Sequence, residues 1–204
     1  MTYWAKDGEE KKENNSGGSS STSEVKHTNN RVYFYTYVDD KTILKFQEAL
    51  ETAAANVLTY AYNNRSKPAP VYIHINSGGG SLFGGFAAMD AIARCAAPTV
   101  SVVEGRAASA ATLMSVAADK RLITPHSLML IHQLSSGMWG TYENIKDHRD
   151  NVERYMDIIR KVYLERTKLS KKTLKELLQR DLYFPAEECV KMGLADGIYG
   201  GNDA

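Results

Sequence analysis

The pattern most informative about the fold lies in residues 71–103, VYIHINSGGGSLFGGFAAMDAIARCAAPTVSVV. The β-branched and aromatic run VYIHI (71–75) predicts a buried strand, the glycine-rich NSGGGS (76–81) a turn, and LFGGFAAMDAIARC (82–95) a helix. TVSVV (99–103) then predicts a second strand. A strand, a helix and another strand in this order are typical of a βαβ unit with parallel strands.

The same alternation of strands and helices extends on both sides of this unit. RVYFYTYV (31–38) has the aromatic and β-branched content of a strand, and a helical pattern follows from about residue 41 to residue 62. An alanine-rich helical segment begins at Ser109, and two further strands are predicted in RLIT (121–124) and SLMLIH (127–132). We therefore expect an α/β fold of repeated βαβ units around a largely parallel sheet, and 204 residues suffice for one such domain.

The first thirty residues differ in composition from the rest of the chain. They are polar and include SGGSSSTS (16–23), the composition of a flexible linker that buries too little surface to offset its ordering entropy. We expect a disordered polar arm over residues 1–30 and the folded domain over residues 31–204. The opening residues MTYWAKDGEEKKENN lack the apolar stretch of a secretory signal, which predicts a soluble, reducing compartment such as the cytoplasm.

Charge and apolar content give no indication of binding to nucleic acid or membranes. The 25 Lys and Arg residues nearly balance the 24 Asp and Glu residues, so nothing predicts binding to nucleic acid or to an anionic membrane surface. The longest run of small apolar residues, 107–118, is well short of the roughly 20 residues that span a bilayer. No transmembrane segment is therefore predicted.

Cys95 and Cys189 show neither CxxC nor metal-ligand spacing, and we expect both to be buried thiols.

Residues 142–166 carry a long amphipathic helical pattern. Seven apolar residues recur on one stripe: Ile145, Val152, Tyr155, Met156, Ile159, Val162 and Tyr163. A helix of roughly 25 residues reaches about 37 Å, more than a compact domain of this size needs. Two interpretations stay open, since the helix either projects and packs against another subunit or lies on the surface of its own sheet.

Ser109, within GRAASAATLM, is the candidate nucleophile. A glycine-containing turn after a buried strand leads into a helix there, so Ser109 would lie at a helix N-terminus. Unpaired N–H groups and the helix dipole stabilise an oxyanion at such a position. A serine there is also a common N-cap, which needs no catalysis. Ser115 lies further inside the same helix, where serine is usually a small packing residue.

A hydroxyl nucleophile requires a base and a group that orients the base. His132 ends the strand SLMLIH where a sheet edge meets a cleft, and a histidine there can titrate near neutral pH. The alternative is a half-buried histidine bonded to backbone. Asp119, Asp181 and Asp196 are all predicted in loops, and the pattern alone does not choose an orienting acid among them.

Three consecutive glycines, Gly78 to Gly80, lie between a predicted strand and a predicted helix. They lack the G-x-G-x-x-G spacing, and no Lys-Ser or Lys-Thr pair follows them, so a nucleotide site is not predicted. A backbone N–H donor for an oxyanion, or an edge that binds peptide, suits them better because glycine allows close approach of the backbone. A plain tight turn is the alternative.

Four segments between residues 70 and 199, taken in order, resemble the Clp protease proteolytic subunit: INSGGGSLFGG, GRAASAATLM, LMLIHQ and RDLYFPAEECVKMGLADGI. Their order and separations agree with that family. The resemblance implies the ClpP/crotonase-like fold and an ATP-dependent-type serine endopeptidase that acts through an acyl-enzyme. It implies Ser109 as nucleophile, His132 as base and Asp181 as orienting acid. No metal ion or organic cofactor is implied.

The resemblance also implies a substrate-binding surface next to the triad. The oxyanion donors would be the backbone N–H groups of Gly79 and Ala110. The substrate would lie along four further positions, which are Gly80, Ser81, Gln133 and Leu134. A strand beginning near Gln133 would hold extended substrate through main-chain hydrogen bonds.

Self-assembly is the main partner implied by the resemblance. Residues 133–166 correspond to the family's handle, which interlocks two rings around a chamber, so we expect a self-compartmentalising barrel of stacked heptameric rings that degrades unfolded polypeptides or peptides. Co-assembly with a second subunit type of the family is compatible with the sequence. The family's other partner is an AAA+ unfoldase, but the polar arm replaces the axial-loop sequence and the amphipathic helix that usually precede the domain.

Two other functions are compatible with this fold. An inactive structural or regulatory ring subunit needs no triad. A crotonase-like acyl-CoA enzyme uses backbone oxyanion donors without a Ser-His-Asp set. The presence of all three triad residues favours the peptidase.

Overall fold

An eight-stranded sheet forms the centre of the computed structural model, which describes residues 25–200. The strands are β1 (Val25–Thr28), β2 (Arg31–Phe34), β3 (Val71–Ser77), β4 (Thr99–Ala108), β5 (Lys120–Ile123), β6 (Leu128–Leu130), β7 (Phe184–Pro185) and β8 (Gly197–Ile198). The helices of the same range are α1 (Asp40–Asn64), α2 (Leu82–Ala93), α3 (Ala110–Ala117), α4 (Tyr142–Arg166), α5 (Lys171–Leu178) and α6 (Ala186–Met192).

Parallel pairing dominates this sheet. The strands lie in the order β1-β2-β3-β4-β5-β8, with β6 beside β4 and β7 beside β6. Pairing is parallel from β2 through to β8 and between β4 and β6, whereas β1–β2 and β6–β7 are antiparallel. Because α1, α2 and α3 connect successive parallel strands, the predicted α/β fold of repeated βαβ units is confirmed.

The long strand β4 organises the edge of the sheet where the candidate residues lie. The prediction placed this strand at 99–103, but it continues to Ala108 because its second half has a separate partner. Its first half pairs with β5, and residues 106–108 pair with β6. The carboxyl ends of parallel strands meet at the same edge of a sheet, so Ser109 and His132 follow neighbouring strand ends.

The N-terminal boundary of the folded chain lies earlier than predicted. β1 pairs with β2 along its whole length, and Val25 packs in the core. Asn29 has a φ of 55°, in the left-handed region that asparagine tolerates, and closes a tight hairpin. The prediction of a disordered arm over residues 1–30 is therefore wrong for residues 25–30. Residues 1–24 of that arm lie outside the part of the chain that the structure describes.

The two faces of the sheet carry different side chains. Alternate residues of β3 point to opposite faces, so Ile73 and Ile75 pack into the main core while Tyr72 and His74 lie on the other face. A second, smaller apolar cluster covers that other face, and its members are Tyr72, Val100, Val102 and Leu122, with Tyr199 packed against them.

The long helix α4 has the predicted bounds, and only its second half is buried. Thr141 and Asn144 form a capping box at its start. Its buried side chains are Met156, Ile159 and Tyr163. No residue from 142 to 155 is buried, so this half projects from the domain instead of covering the sheet. The expected strand near Gln133 is absent, because residues 131–141 form no helix or strand.

Candidate active site

Ser109 lies on a strained turn between β4 and α3. Its φ of 59° and ψ of −129° are rare for a residue other than glycine and cost about 1–3 kcal/mol. The Ser109 N–H donates to the Leu130 carbonyl at 2.9 Å, and the Thr112 N–H donates to the Ser109 carbonyl at 2.9 Å. A sharp turn from strand to helix of this kind presents a nucleophilic serine in several hydrolases.

The side chain of Ser109 does not cap the helix. Ser109 occupies the N-cap position of α3, but its Oγ makes no capping hydrogen bond to the first turn of the helix. Only 2% of the residue is exposed, and Oγ has no hydrogen-bond partner among the described residues. A buried hydroxyl without a partner is uncommon in native proteins and points to a role other than packing. Ser115 instead lies beside Ser101, with 3.4 Å between the two Oγ atoms.

His132 and Asp181 form a hydrogen-bonded pair. His132 Nδ1 lies 2.7 Å from Asp181 Oδ1. A carboxylate only accepts, so Nδ1 carries the proton and Nε2 is the nitrogen that can accept one from a hydroxyl. The His132 side chain is buried, whereas 74% of the Asp181 side chain is exposed. The structure joins this pair but shows no hydrogen bond from Ser109 Oγ to His132, and such bonds are often longer before substrate binds.

The other two candidate acids have structural partners. Asp119 Oδ2 accepts from both the Thr99 N–H at 2.8 Å and the Thr99 hydroxyl at 3.0 Å. Asp196 accepts from the backbone N–H of Arg121 at 2.9 Å and pairs with its guanidinium group. Of the three acids left open by the pattern, Asp181 is therefore the one that contacts His132.

Gly79 lies directly against the Ser109 turn. Its φ of +91° favours glycine, and a Cβ on this residue would meet the Ala108 carbonyl oxygen at 2.6 Å and Ser109 Cβ at 2.7 Å. The same hypothetical Cβ would lie 3.1 Å from the Ala110 nitrogen. The two predicted oxyanion donors, Gly79 and Ala110, are thus on adjacent backbone segments. In this structure the Gly79 N–H donates to Ser77 Oγ at 3.1 Å, a contact that the sequence did not predict.

Comparison with known proteins identifies the family. The family model described as Clp protease matches residues 26–202. The chain belongs to the Clp protease family. The ATP-dependent Clp protease proteolytic subunit 1 of Chlamydia muridarum is 31% identical over 181 residues, covering 86% of this chain and 94% of that protein. Subunit 1 of Chlamydia caviae is 34% identical over 173 residues, covering 82% and 85%.

A relative from outside Chlamydia extends the comparison. The ATP-dependent Clp protease proteolytic subunit 2 of Treponema denticola is 30% identical over 187 residues, which cover 85% of this chain and 94% of that protein. The family match and the names of these relatives support a Clp-type peptidase. The resemblance noted from the four sequence segments is confirmed, and so is the ClpP/crotonase-like fold.

The cysteines of this Clp-family chain are not activated nucleophiles. Burial raises the pKa of Cys189 to about 12, and burial also raises the pKa of Cys95. Since the thiolate is the reactive form, both side chains are poor nucleophiles near neutral pH. Both cysteines are free; Cys189 is buried as predicted, whereas Cys95 is only partly buried.

Gly80 and Ser81, two of the predicted substrate-binding positions, stabilise the turn that contains Gly78 to Gly80. Gly80 bridges to Val38, and a Cβ on Gly80 would lie only 2.2 Å from the Val38 carbonyl oxygen. Ser81 caps α2, because its Oγ accepts from the Gly84 N–H at 3.2 Å. Contact of these two residues with substrate stays a prediction.

The other two positions, Gln133 and Leu134, anchor the start of the segment 133–166. The Gln133 N–H donates to the Leu178 carbonyl at 2.7 Å, and the Leu134 N–H contacts Met156 Sδ at 3.2 Å. These two N–H groups therefore bond within the chain, in place of the expected strand. Substrate binding at Gln133 and Leu134 also stays a prediction.

Two further observations concern the described residues 25–200 only. No helix among them is long and apolar enough to cross a membrane. No group of three or more His, Cys, Asp or Glu side chains among them is arranged to hold a metal ion.

Proposed function

We propose that the chain is a serine endopeptidase subunit in which Ser109 is the nucleophile, His132 the general base and Asp181 the orienting carboxylate. The observation that carries the proposal is the buried, unpartnered Oγ of Ser109 on a strained strand-to-helix turn. The His132–Asp181 hydrogen bond and membership in the Clp protease family support it.

The proposed reaction proceeds through an acyl-enzyme. His132 Nε2 takes the proton of Ser109 Oγ as that oxygen attacks the carbonyl carbon of the scissile peptide bond. The carbonyl oxygen becomes an oxyanion that the Ala110 and Gly79 N–H groups stabilise. The C–N bond then breaks, and His132 gives its proton to the leaving amine. Water hydrolyses the acyl ester by the same steps and restores Ser109.

Asp181 acts on the histidine and not on the substrate. Its carboxylate holds the Nδ1–H tautomer and stabilises the imidazolium that forms after proton transfer. Because most of the Asp181 side chain is exposed in this chain, we expect a smaller contribution than a buried triad aspartate makes.

Self-assembly is the second part of the proposal. The projecting half of α4 and the segment before it present large apolar side chains to solvent: Met138, Trp139, Tyr142 and Ile145. Trp139 is 97% exposed, and a patch of this kind is typical of an interaction site. We propose that residues 133–166 form the handle contact between stacked heptameric rings of this chain, enclosing Ser109 in a chamber for unfolded polypeptides. Since the relatives are named ATP-dependent, we also propose an AAA+ unfoldase as partner.

One observation favours the alternative, an inactive ring subunit of the same fold. The Gly79 N–H is bonded to Ser77 Oγ. In an active enzyme the substrate carbonyl must replace Ser77 Oγ at the Gly79 N–H. In an inactive subunit that replacement does not occur.

Peptide hydrolysis by the purified full chain tests this function. We expect the wild type to form a large particle in light scattering and to cleave short fluorogenic peptides. Ser109→Ala should assemble normally and lose at least about 10³-fold in kcat/KM. The matched control is Ser115→Ala, a buried serine within α3, the helix that follows Ser109, and this variant should keep its activity. An assembled wild type with no cleavage would support the inactive subunit, and a monomer would overturn the chamber.

A further inference from the structure

Two buried hydroxyl groups connect the handle helix α4 to the turn that carries Ser109. Tyr163 lies in the second half of α4 and Thr112 in the first turn of α3, and both are buried. Tyr163 Oη is 2.5 Å from Thr112 Oγ1. Thr112 Oγ1 in turn donates to the Ser109 carbonyl oxygen at 2.6 Å. Three side-chain and backbone groups therefore form one continuous chain of hydrogen bonds.

The direction of this chain is set by its members. A threonine hydroxyl has one hydrogen, and a carbonyl oxygen only accepts. The Thr112 hydrogen goes to Ser109, so Tyr163 must donate to Thr112. Burial raises the pKa of Tyr163 far above its ordinary value, so the phenol keeps its proton and remains a donor.

The end of the chain fixes a peptide plane of the candidate active site. The Ser109 carbonyl receives two hydrogen bonds, one from the Thr112 hydroxyl and one from the Thr112 N–H at 2.9 Å. That carbonyl and the Ala110 N–H belong to one planar trans peptide unit, in which they point in opposite directions. Whatever holds the Ser109 carbonyl therefore also sets the direction of the Ala110 N–H.

We propose that Tyr163 is a positioning residue for the oxyanion donor, acting through Thr112 to orient the Ala110 N–H. The proposal rests on the proposed function, in which Ala110 stabilises the oxyanion. Because Tyr163 belongs to α4, a displacement of the handle helix is transmitted to the oxyanion donor.

The experiment compares variants that keep or remove single hydroxyl groups. Tyr163→Phe and Thr112→Val each break the chain at constant side-chain size, whereas Thr112→Ser keeps it. We expect Tyr163→Phe and Thr112→Val to lower both kcat for a short peptide and the rate of fluorophosphonate labelling about ten-fold, with KM changed less than about two-fold. Thr112→Ser should retain the wild-type rate. The double variant should lose no more than either single variant, because both remove the same connection.

The control and the contrary outcomes separate this proposal from the proposed function. Tyr155→Phe removes a hydroxyl from the same helix at a ring that packs on Phe83, and its labelling rate should not change. The labelling and cleavage rates are normalised to the folded fraction of each variant. If Tyr163→Phe does not fold, the result for Thr112→Val decides the outcome. A wild type that labels, with Tyr163→Phe and Thr112→Val labelling equally fast, would overturn the positioning role alone. A folded, assembled wild type that does not label would overturn Ser109 as nucleophile and this proposal with it.

Discussion

The chain contains two buried histidines that each contact a carboxylate through Nδ1, and they lie in different surroundings. His132 contacts Asp181 at 2.7 Å, and His74 contacts Glu104 at 2.9 Å. Both imidazole rings are nearly enclosed by protein. By distance and burial alone, both pairs satisfy the description of a catalytic histidine with its orienting acid.

The position in the sheet distinguishes the two pairs. His74 Nε2 lies 3.0 Å from Arg31 Nη1, and since a guanidinium only donates, this nitrogen is already an acceptor. The His74 ring also stacks on Tyr33 within the sheet. His132 instead follows a strand end beside the strained turn of Ser109. A histidine–carboxylate pair becomes a candidate catalytic base through its location next to a candidate nucleophile, while the same kind of pair elsewhere stabilises the sheet.

Replacement of each histidine gives the largest expected contrast. His132→Ala should lower kcat by about 10³-fold or more with little change in melting temperature, because the base is lost and the fold is not. His74→Ala should cost about 2–3 kcal/mol of stability, because Glu104 and Arg31 lose a buried partner. Its kcat per folded molecule should stay within a few-fold of the wild type. Peptide kinetics and thermal unfolding of the two variants check these expectations. A stable but inactive His74→Ala would contradict the claim that only His132 acts in catalysis.

Replacement of the two partner acids, Asp181 and Glu104, tests the same difference between the pairs, and the expected effects are smaller. Asp181→Asn should lower kcat by about 10²-fold, less than for a buried triad acid because this side chain is largely exposed. Glu104→Gln should leave kcat unchanged and lower stability by about 1 kcal/mol. An equal decrease in kcat in Asp181→Asn and Glu104→Gln would contradict the claim that only the pair next to Ser109 acts in catalysis.

The smallest expected effect concerns Asp196, the loop acid that pairs with Arg121. Burial disfavours its charged form, but hydrogen bonds from Arg121 hold the pKa of Asp196 below its ordinary value. A lowered folded pKa adds stability above the unfolded pKa, and this contribution is lost as the pH falls through the folded value. Asp196→Asn should therefore destabilise the protein by about 1 kcal/mol or less at pH 7, with the difference fading below about pH 4. Urea unfolding of wild type and variant at pH 7 and pH 3.5 measures this difference in stability. An equal stability difference at the two pH values would contradict the stabilising role of the Asp196–Arg121 pair.

Local sequence patterns predicted the elements whose stability depends on their own periodicity. The bounds of α4 agree with the amphipathic stripe, and β3 and α2 agree with the run of residues 71–95. Two elements that depend on distant partners were missed or shortened. β4 extends through residues 104–106, which are charged or glycine, because β6 pairs with its end. β1 is a short, mostly polar strand that lies inside the predicted polar arm.

The site was predictable as a set of residue types but not as a set of contacts. The turn that carries the candidate nucleophile follows from a strand that leads into a helix, and the resemblance to the Clp family supplied the choice of Asp181. The bond between Thr112 and Tyr163 joins residues 51 positions apart, and no local pattern indicates it. The contact of Ser77 Oγ with the Gly79 N–H is local, and a serine two residues before a glycine in a turn is a signal that could have found it.

Labelling with a fluorophosphonate probe, followed by mass-spectrometric mapping of the modified peptide, is the decisive test of Ser109 as nucleophile and His132 as its base. We expect the assembled wild type to be modified at Ser109 alone, His132→Ala to label far more slowly, and His74→Ala to label at the wild-type rate per folded molecule. Modification at another serine, or peptide cleavage that persists in Ser109→Ala, would contradict this expectation.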